Sequence, residues 1–432
     1  MVAQVIFIVI LLAAAGLFAR NVGKIRRNIR LGRKVDRSDR KAERWKVMAG
    51  VALGQSKMVK RPVAGILHIL IYAGFIIINI EVLEIVIDGI FGTHRVFAGP
   101  LGGVYTALIA SFEVLALGVL LACVVFLIRR NILKLRRFSG PEMTAWPRSD
   151  ANYILIAEIL LMTAFLTMNA ADLALQQMGA AGYPQAGGFP VSSLIAGLLP
   201  ETERALVFTE RFCWWFHITG ILVFLNYIPY SKHFHIFLSF PNTWYSNLDP
   251  KGRFGNMAAV TGEVKAMLDP SFTPSPETAP ARFGARDVKD LSRVNLINAY
   301  SCTECGRCTA ACPANITGKL LSPRKIMMDT RDRLEEVGRN IDKYGKDHDD
   351  GKSLLDDYIS TEELWACTTC NACTEACPVN IDPLEIIMEL RRTLIMEDSR
   401  APASWNAMFS NIENNAAPWQ FSPSDRLKWA EQ

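Results

Sequence analysis

The chain has 432 residues, half of them hydrophobic, with a formal net charge of +5 and a mean hydropathy of +0.17. A chain this apolar is no pair of ordinary soluble domains, and part of it is expected in lipid. The positive excess does not point to nucleic acid, because it is concentrated in loops beside apolar stretches, where it serves topology and contact with anionic membrane lipid.

Five stretches qualify as spans: Val2 to Ala19, Pro62 to about Ile87, Leu101 to Ile128, Tyr153 to Gln176, and Leu206 to Tyr230. At about 1.5 Å per helical residue, roughly 20 residues cross the hydrocarbon. Nothing basic precedes Val2, whereas Arg20, Lys24, Arg26, Arg27 and Arg30 follow the first stretch. It therefore reads as an uncleaved anchor with its amino terminus outside, and not as a secretion signal. The loop from Arg20 to Arg61 holds fifteen Lys or Arg and the loop from Arg129 to Asp150 holds six, while the alternate loops hold only Arg95. The basic loops, and everything after the fifth span, are then expected in the cytoplasm of a prokaryotic cell, below its inner membrane.

Four of the six histidines fall in or beside spans: His68, His217, His233 and His235. His235 follows His217 by 18 residues, five turns, which places both on one helix face about 27 Å apart; Pro229 between them weakens that inference. His68 lies six residues after Pro62 and His235 six before Pro241, each about 9 Å from a helix end on the same side. This depth match predicts His68 and His235 as axial ligands of one haem b near the cytoplasmic face. His217 is a candidate for a second haem, but lacks an obvious partner. The bland alternative for each histidine is an interfacial or buried polar residue. Glu81, Glu84 and Asp88 share one helical stripe and read as a solvated cluster at the outer interface. His94 in the outer loop and His348 in an acidic stretch read as solvated. Glu113, about 18 Å from Leu101, is expected near mid-bilayer, either as a proton relay to a quinone or bonded to a neighbouring helix.

From Pro241 to Asn298 the chain reads as a connector, with Pro270, Pro274, Pro276 and Pro280 marking an irregular segment. Beyond it, one cysteine spacing occurs twice, 65 residues apart: Cys302, Cys305, Cys308, Cys312-Pro313, and Cys367, Cys370, Cys373, Cys377-Pro378. Three thiolates at x2 intervals with a fourth after x3 are the ligand pattern of paired cubane iron–sulfur clusters, in which the fourth cysteine serves the other cluster. Cys302, Cys305, Cys308 and Cys377 are therefore assigned to one [4Fe-4S] cluster, and Cys367, Cys370, Cys373 and Cys312 to the second. Zinc favours separated C-x2-C pairs and has no use for the third cysteine; disulfides do not suit a reducing compartment. Ser360, three residues before Glu363, has capping-box spacing and predicts a short helix leading to Trp365 and Cys367. The apolar residues Leu384, Ile387, Met388 and Leu394 predict another after Pro383. The 54 residues between Cys312 and Cys367 exceed what a minimal ferredoxin needs, so an inserted helical layer is expected.

The segments SCTECGRCTAACPANITGKLLSPRKI (301–326) and LWACTTCNACTEACPVNIDP (364–383) resemble the iron–sulfur module of heterodisulfide-reductase-related proteins. The five-span region, with its histidines in helices two and five, resembles the cytochrome b subunit of respiratory nitrate reductase. That family holds two haems with two histidines on each of these helices; His68, His217 and His235 match three of the positions, and Ile78 stands at the fourth. Related fused proteins continue into a cysteine-rich catalytic domain after a segment resembling AAPWQFSPSDRLKWAEQ. The resemblance thus implies a separate cytoplasmic cysteine-rich or flavoprotein subunit, with the tail from Ser399, bearing Trp405 and Trp419, as a candidate docking surface.

The expected architecture is an all-α membrane protein: a five-helix haem b bundle (1–240), a linker (241–298), a mainly helical two-cluster ferredoxin-type domain (299–398) and a tail (399–432). The expected function is electron transfer between a cytoplasmic partner and quinone or menaquinone. Electron-transfer flavoprotein is one concrete donor that the resemblance admits. Two alternatives are a quinol-oxidising subunit that feeds a disulfide or sulfur-compound reductase, and a haem-free membrane-anchored sensor. No nucleophile, general base or phosphate-binding loop appears, so substrate chemistry is expected in a partner.

Overall fold

A computed structural model describes residues 1–273 and 282–431. Among these residues there are helices and isolated bridges but no strand. Pro274, Pro276 and Pro280 of the expected irregular segment lie outside them; Pro270 lies just after a helix, Ala258–Leu268.

Five helices are long and apolar enough to cross a bilayer: α1 (Val2–Arg30), α2 (Pro62–Phe91), α3 (Gly103–Leu127), α4 (Trp146–Met178) and α5 (Glu203–Tyr227). Pro62 sits in the first turn of α2, where its missing N–H costs nothing. Gly92 and Gly179 end α2 and α4 in the left-handed conformation that favours glycine. The bundle packs tightly where small residues face neighbours: a Cβ on Gly74 of α2 would come within 2.5 Å of Val119 on α3.

The fifth helix does not run through to His235. It ends at Tyr227, passes through a 3-10 turn containing Pro229, and breaks at Ser231, whose backbone is extended. A new helix, His235–Trp244, carries Pro241 inside it. The five-turn register between His217 and His235 is therefore corrected: the two residues belong to different helices.

The cytoplasm-expected half repeats one order of elements around its two cysteine runs. Helix Arg293–Ser301 begins with the Ser292/Asn295 capping box and leads into the first cysteine run; helix Thr361–Ala366 begins with the Ser360/Glu363 box and leads into the second. After each run comes a five-residue helix, Arg307–Ala311 or Ala372–Ala376, and these two pack on each other. Then a proline-started helix follows, Pro323–Tyr344 or Pro383–Met396. At 22 residues against 14 for its counterpart, Pro323–Tyr344 supplies the extra helical length expected between the two runs.

α1 continues beyond its apolar part, so that Lys24 and Arg27 reach Asp342 and Asn28 donates to the Tyr300 hydroxyl at 3.0 Å. Arg33 and Arg37 pair with Glu389 and Glu385, and Lys60 with Glu375. The basic loop that the sequence assigns to topology and lipid also fastens the cluster half to the bundle.

Candidate functional site

The two cysteine loops share one backbone recipe. Two residues after the first cysteine, Glu304 and Thr369 are left-handed (φ 54° and 56°), and one after the second, so are Gly306 and Asn371 (φ 70° and 58°). Left-handed residues at matching positions turn the backbone sharply between the cysteines of each loop. Backbone N–H groups reach two sulfurs: Thr369 N to Cys367 Sγ at 3.4 Å and Ile381 N to Cys377 Sγ at 3.3 Å.

A cavity at the first loop is lined by Cys302, Cys305 and Cys308 and, from the other run, by Cys373 and Cys377. Burial and then the neighbouring Cys302, Cys305 and Cys377 push the Cys308 thiol up. Burial likewise raises Cys302 to about 12 and Cys377 to about 11. On the other side, burial raises Cys367, which has Cys312 and Cys370 beside it. Thiols crowded this closely in a buried space cannot all ionise alone; a multivalent cation at their centre reverses the balance, because a coordinating thiol is deprotonated outright. The donor set therefore fits a metal–sulfur group, and the fourth cysteine of each run lies with the opposite run. Among the described residues no three His, Cys, Asp or Glu side chains are grouped around a single-ion position.

Charged residues frame the first cage. Glu304 is buried, and burial alone would raise its carboxyl, but Arg331 at 2.8 Å and Lys232 hold it below the usual range. Arg324, 1% exposed, donates to Glu142 at 2.7 Å and to the Arg137 carbonyl, tying the loop between α3 and α4 to the cage wall. Arg307 donates to the carbonyls of Lys57 and Met58 at 3.0 and 3.2 Å, just before α2.

Above Arg307 stand the histidines. The rings of His68 and His235 lie 6.3 Å apart at 45°, and His233 is 5.7 Å from His235. His235 Nδ1 is 3.1 Å from the Lys232 carbonyl, which only accepts, so Nδ1 carries the proton and Nε2 presents its lone pair. Nδ1 of His68 and Nε2 of His233 are buried without hydrogen-bond partners. Burial, followed by His235 and His68, lowers His233 to about 3, and burial lowers His235, so the neutral form is favoured at both. His233, which the sequence gives no role, joins the pair; its signal was the i, i+2 spacing at a broken helix. His217 is separate: its Nδ1 meets the Leu161 carbonyl at 3.0 Å and its ring neighbour is Phe165 at 5.8 Å, not a second imidazole.

The outer carboxylates are not solvated, which corrects the sequence reading. Glu81, Glu84 and Asp88 are 2, 3 and 8% exposed. Arg95 folds inward to bond Asp172, Asn169 (2.8 Å) and Tyr105 (3.1 Å), while Asp88 accepts from Arg95 N at 2.7 Å and Glu84 from Phe97 N at 2.8 Å. His94 is corrected likewise: it lies 3.4 Å from Asp172 and against Tyr183. Glu113, fully buried, accepts from Asn169 at 3.2 Å and from the backbone of Val191 and Ser192 at 2.9 and 3.1 Å, because the loop after α4 folds back against α3. Of the two roles expected for Glu113, a bond to a neighbouring element is present.

Residues 301–381 match the family described as 4Fe-4S dicluster domain. The chain is 28% identical over 99% of its length to 60% of the probable iron-sulfur-binding oxidoreductase FadF of Bacillus subtilis. It is 25% identical over 92% of its length to 55% of the EtfAB:quinone oxidoreductase of Syntrophomonas wolfei. It is 32% identical over 27% of its length to 60% of a subunit of the ferredoxin/F(420)H(2)-dependent CoB-CoM heterodisulfide reductase of Methanosarcina acetivorans. The chain thus spans about three fifths or less of each of these relatives. No solved structure matches. The homologues are iron–sulfur oxidoreductases and heterodisulfide reductase subunits, consistent with a chain that transfers electrons.

Proposed function

We propose that this chain is a membrane-bound electron-transfer subunit linking a cytoplasmic redox partner, a flavoprotein or a cysteine-rich reductase subunit, to the quinone pool. Its first 240 residues are read as the haem b domain, 241–298 as the linker, 299–398 as the cluster domain, and 399–432 as a possible partner surface. Bound there, two [4Fe-4S] clusters and one haem b supply single-electron steps. Cys302, Cys305, Cys308 and Cys377 would hold the first cluster, and Cys367, Cys370, Cys373 and Cys312 the second. His68 and His235, whose ring centres lie 6.3 Å apart, would hold the haem. His217 remains a candidate for a second haem, whose other ligand would have to come from elsewhere, since Ile78 holds the fourth family position and the ring beside His217 is Phe165.

One juxtaposition carries the reading: Arg307, between two cysteines of the first run, donates to the Met58 carbonyl, against which Gly65 of α2 packs one turn before His68, so the cage and the imidazole pair are neighbours. A relative named EtfAB:quinone oxidoreductase supports quinone as the membrane partner. The reduced-minus-oxidised spectrum of purified protein tests the reading. A b-type band is expected and His68→Ala should abolish it while the cluster signals persist; full haem in that variant would refute the ligand pair. Redox titration against the quinone couple then gives the direction of flow.

A further inference from the structure

Between α4 and α5 a cleft of 290 Å³ opens toward the lipid, with walls that are apolar except at one end. Along it run Leu160, Phe216 and Val223; at the end facing the cluster domain stand Tyr153, Phe224 and Tyr227. Gly220 keeps the floor open, since a Cβ there would come within 2.7 Å of Leu161. The Tyr227 hydroxyl is fixed by donating to Asp150, a carboxylate 1% exposed that also accepts from Lys232 N at 3.1 Å. A long apolar slot ending in aromatic rings and one anchored hydroxyl has the lining of a small-molecule site.

Its position gives it an occupant. Tyr227 stacks on Phe224 (6.0 Å, 21°), Phe224 meets His233 at 5.4 Å, and His233 leads through His235 to His68. Rings in contact therefore join the cleft to the imidazole pair. An acyl chain would fill the slot equally well but has no need of a ring seat or a buried hydroxyl–carboxylate pair at its end. We propose that this cleft is the quinone seat, with the head group among Tyr153, Phe224 and Tyr227 and the prenyl tail along Leu160, Phe216 and Val223. The proposal rests on the reading that quinone is the membrane partner, and adds where it binds.

The full chain in lipid nanodiscs, exposed to a photoreactive prenylated naphthoquinone and mapped by peptide analysis, tests it. Saturable label is expected within 153–160 and 216–227. Val223→Trp fills the slot from a side chain 66% exposed and should cut labelling about tenfold, with cluster and haem spectra unchanged. Leu160→Trp serves the same purpose if that variant does not assemble, and Tyr227→Phe should weaken saturation. Saturable label elsewhere, or label indifferent to these substitutions, overturns the seat while leaving the quinone reading intact. Absence of saturable label with intact metal centres overturns both. Equal displacement of the quinone label by a photoreactive phospholipid, unaffected by Tyr227→Phe, makes the cleft a lipid seat and overturns the proposal.

Discussion

At the scale of single residues, the pairing of cysteines across the two runs makes a prediction that ligation within each run does not. Cys302→Ser and Cys377→Ser should remove the same paramagnetic centre although 75 positions separate them, and Cys312→Ser and Cys367→Ser should remove the other. Electron paramagnetic resonance on the four variants reads this, and a match of Cys377 with Cys367 would contradict it. The two cysteine runs stand out in the sequence by spacing alone, and residues 301–381, which hold both, match a 4Fe-4S dicluster domain. Glu113 was half legible. Depth along α3 marked it as buried, but the donors it serves, Val191 and Ser192, come from a loop whose return into the bundle has no local signature. Glu113→Ala leaves those donors and Asn169 unpaired, at about 1 to 3 kcal/mol for each buried group. Thermal unfolding in detergent should show a clear loss for Ala and a smaller one for Gln; equal stability of the Ala variant would contradict the role.

At the scale of elements, the Ser360/Glu363 capping box and Pro383 announced the two helices around the second cysteine run and act as read; the Ser292/Asn295 box and the start at Pro323 were not read from the sequence. The break after Tyr227 was only hinted at by Pro229, and it changes why His68 meets His235. The two were paired by counting depth on continuous helices, whereas the chain brings them together by turning at Ser231 and restarting. The buried outer carboxylates escaped the sequence for a related reason: counting from Pro62 placed Glu81 at the interface, but Arg95 folds back over it from the loop. In the cluster half, Arg333 bonds Asp287 through Nε and Nη2, both at 2.9 Å, and Asp350 at 2.6 and 3.0 Å, holding the inserted helix against the segments on either side. Arg333→Ala strands these carboxylates and should cost about 3 kcal/mol. The temperature at which cluster absorbance is lost should fall accordingly, and an unchanged value would show the fork to be dispensable.

At the scale of the whole molecule, the basic loop joins bundle and cluster half through ion pairs and the Asn28–Tyr300 bond, leaving the first cage beside Arg307 and the imidazole pair. In the tail, Trp405 packs on Trp365 at 4.8 Å yet stays 37% exposed, and Trp419 is 56% exposed, so both tryptophans of the expected docking surface present open area. Every part of this arrangement presupposes that the crossed cysteine sets hold iron and sulfide. Iron and acid-labile sulfide per chain, measured on anaerobically purified protein, should come to about eight sulfides and about nine irons, eight in the clusters and one in the haem; zinc in place of the cluster iron, without labile sulfide, would contradict the account.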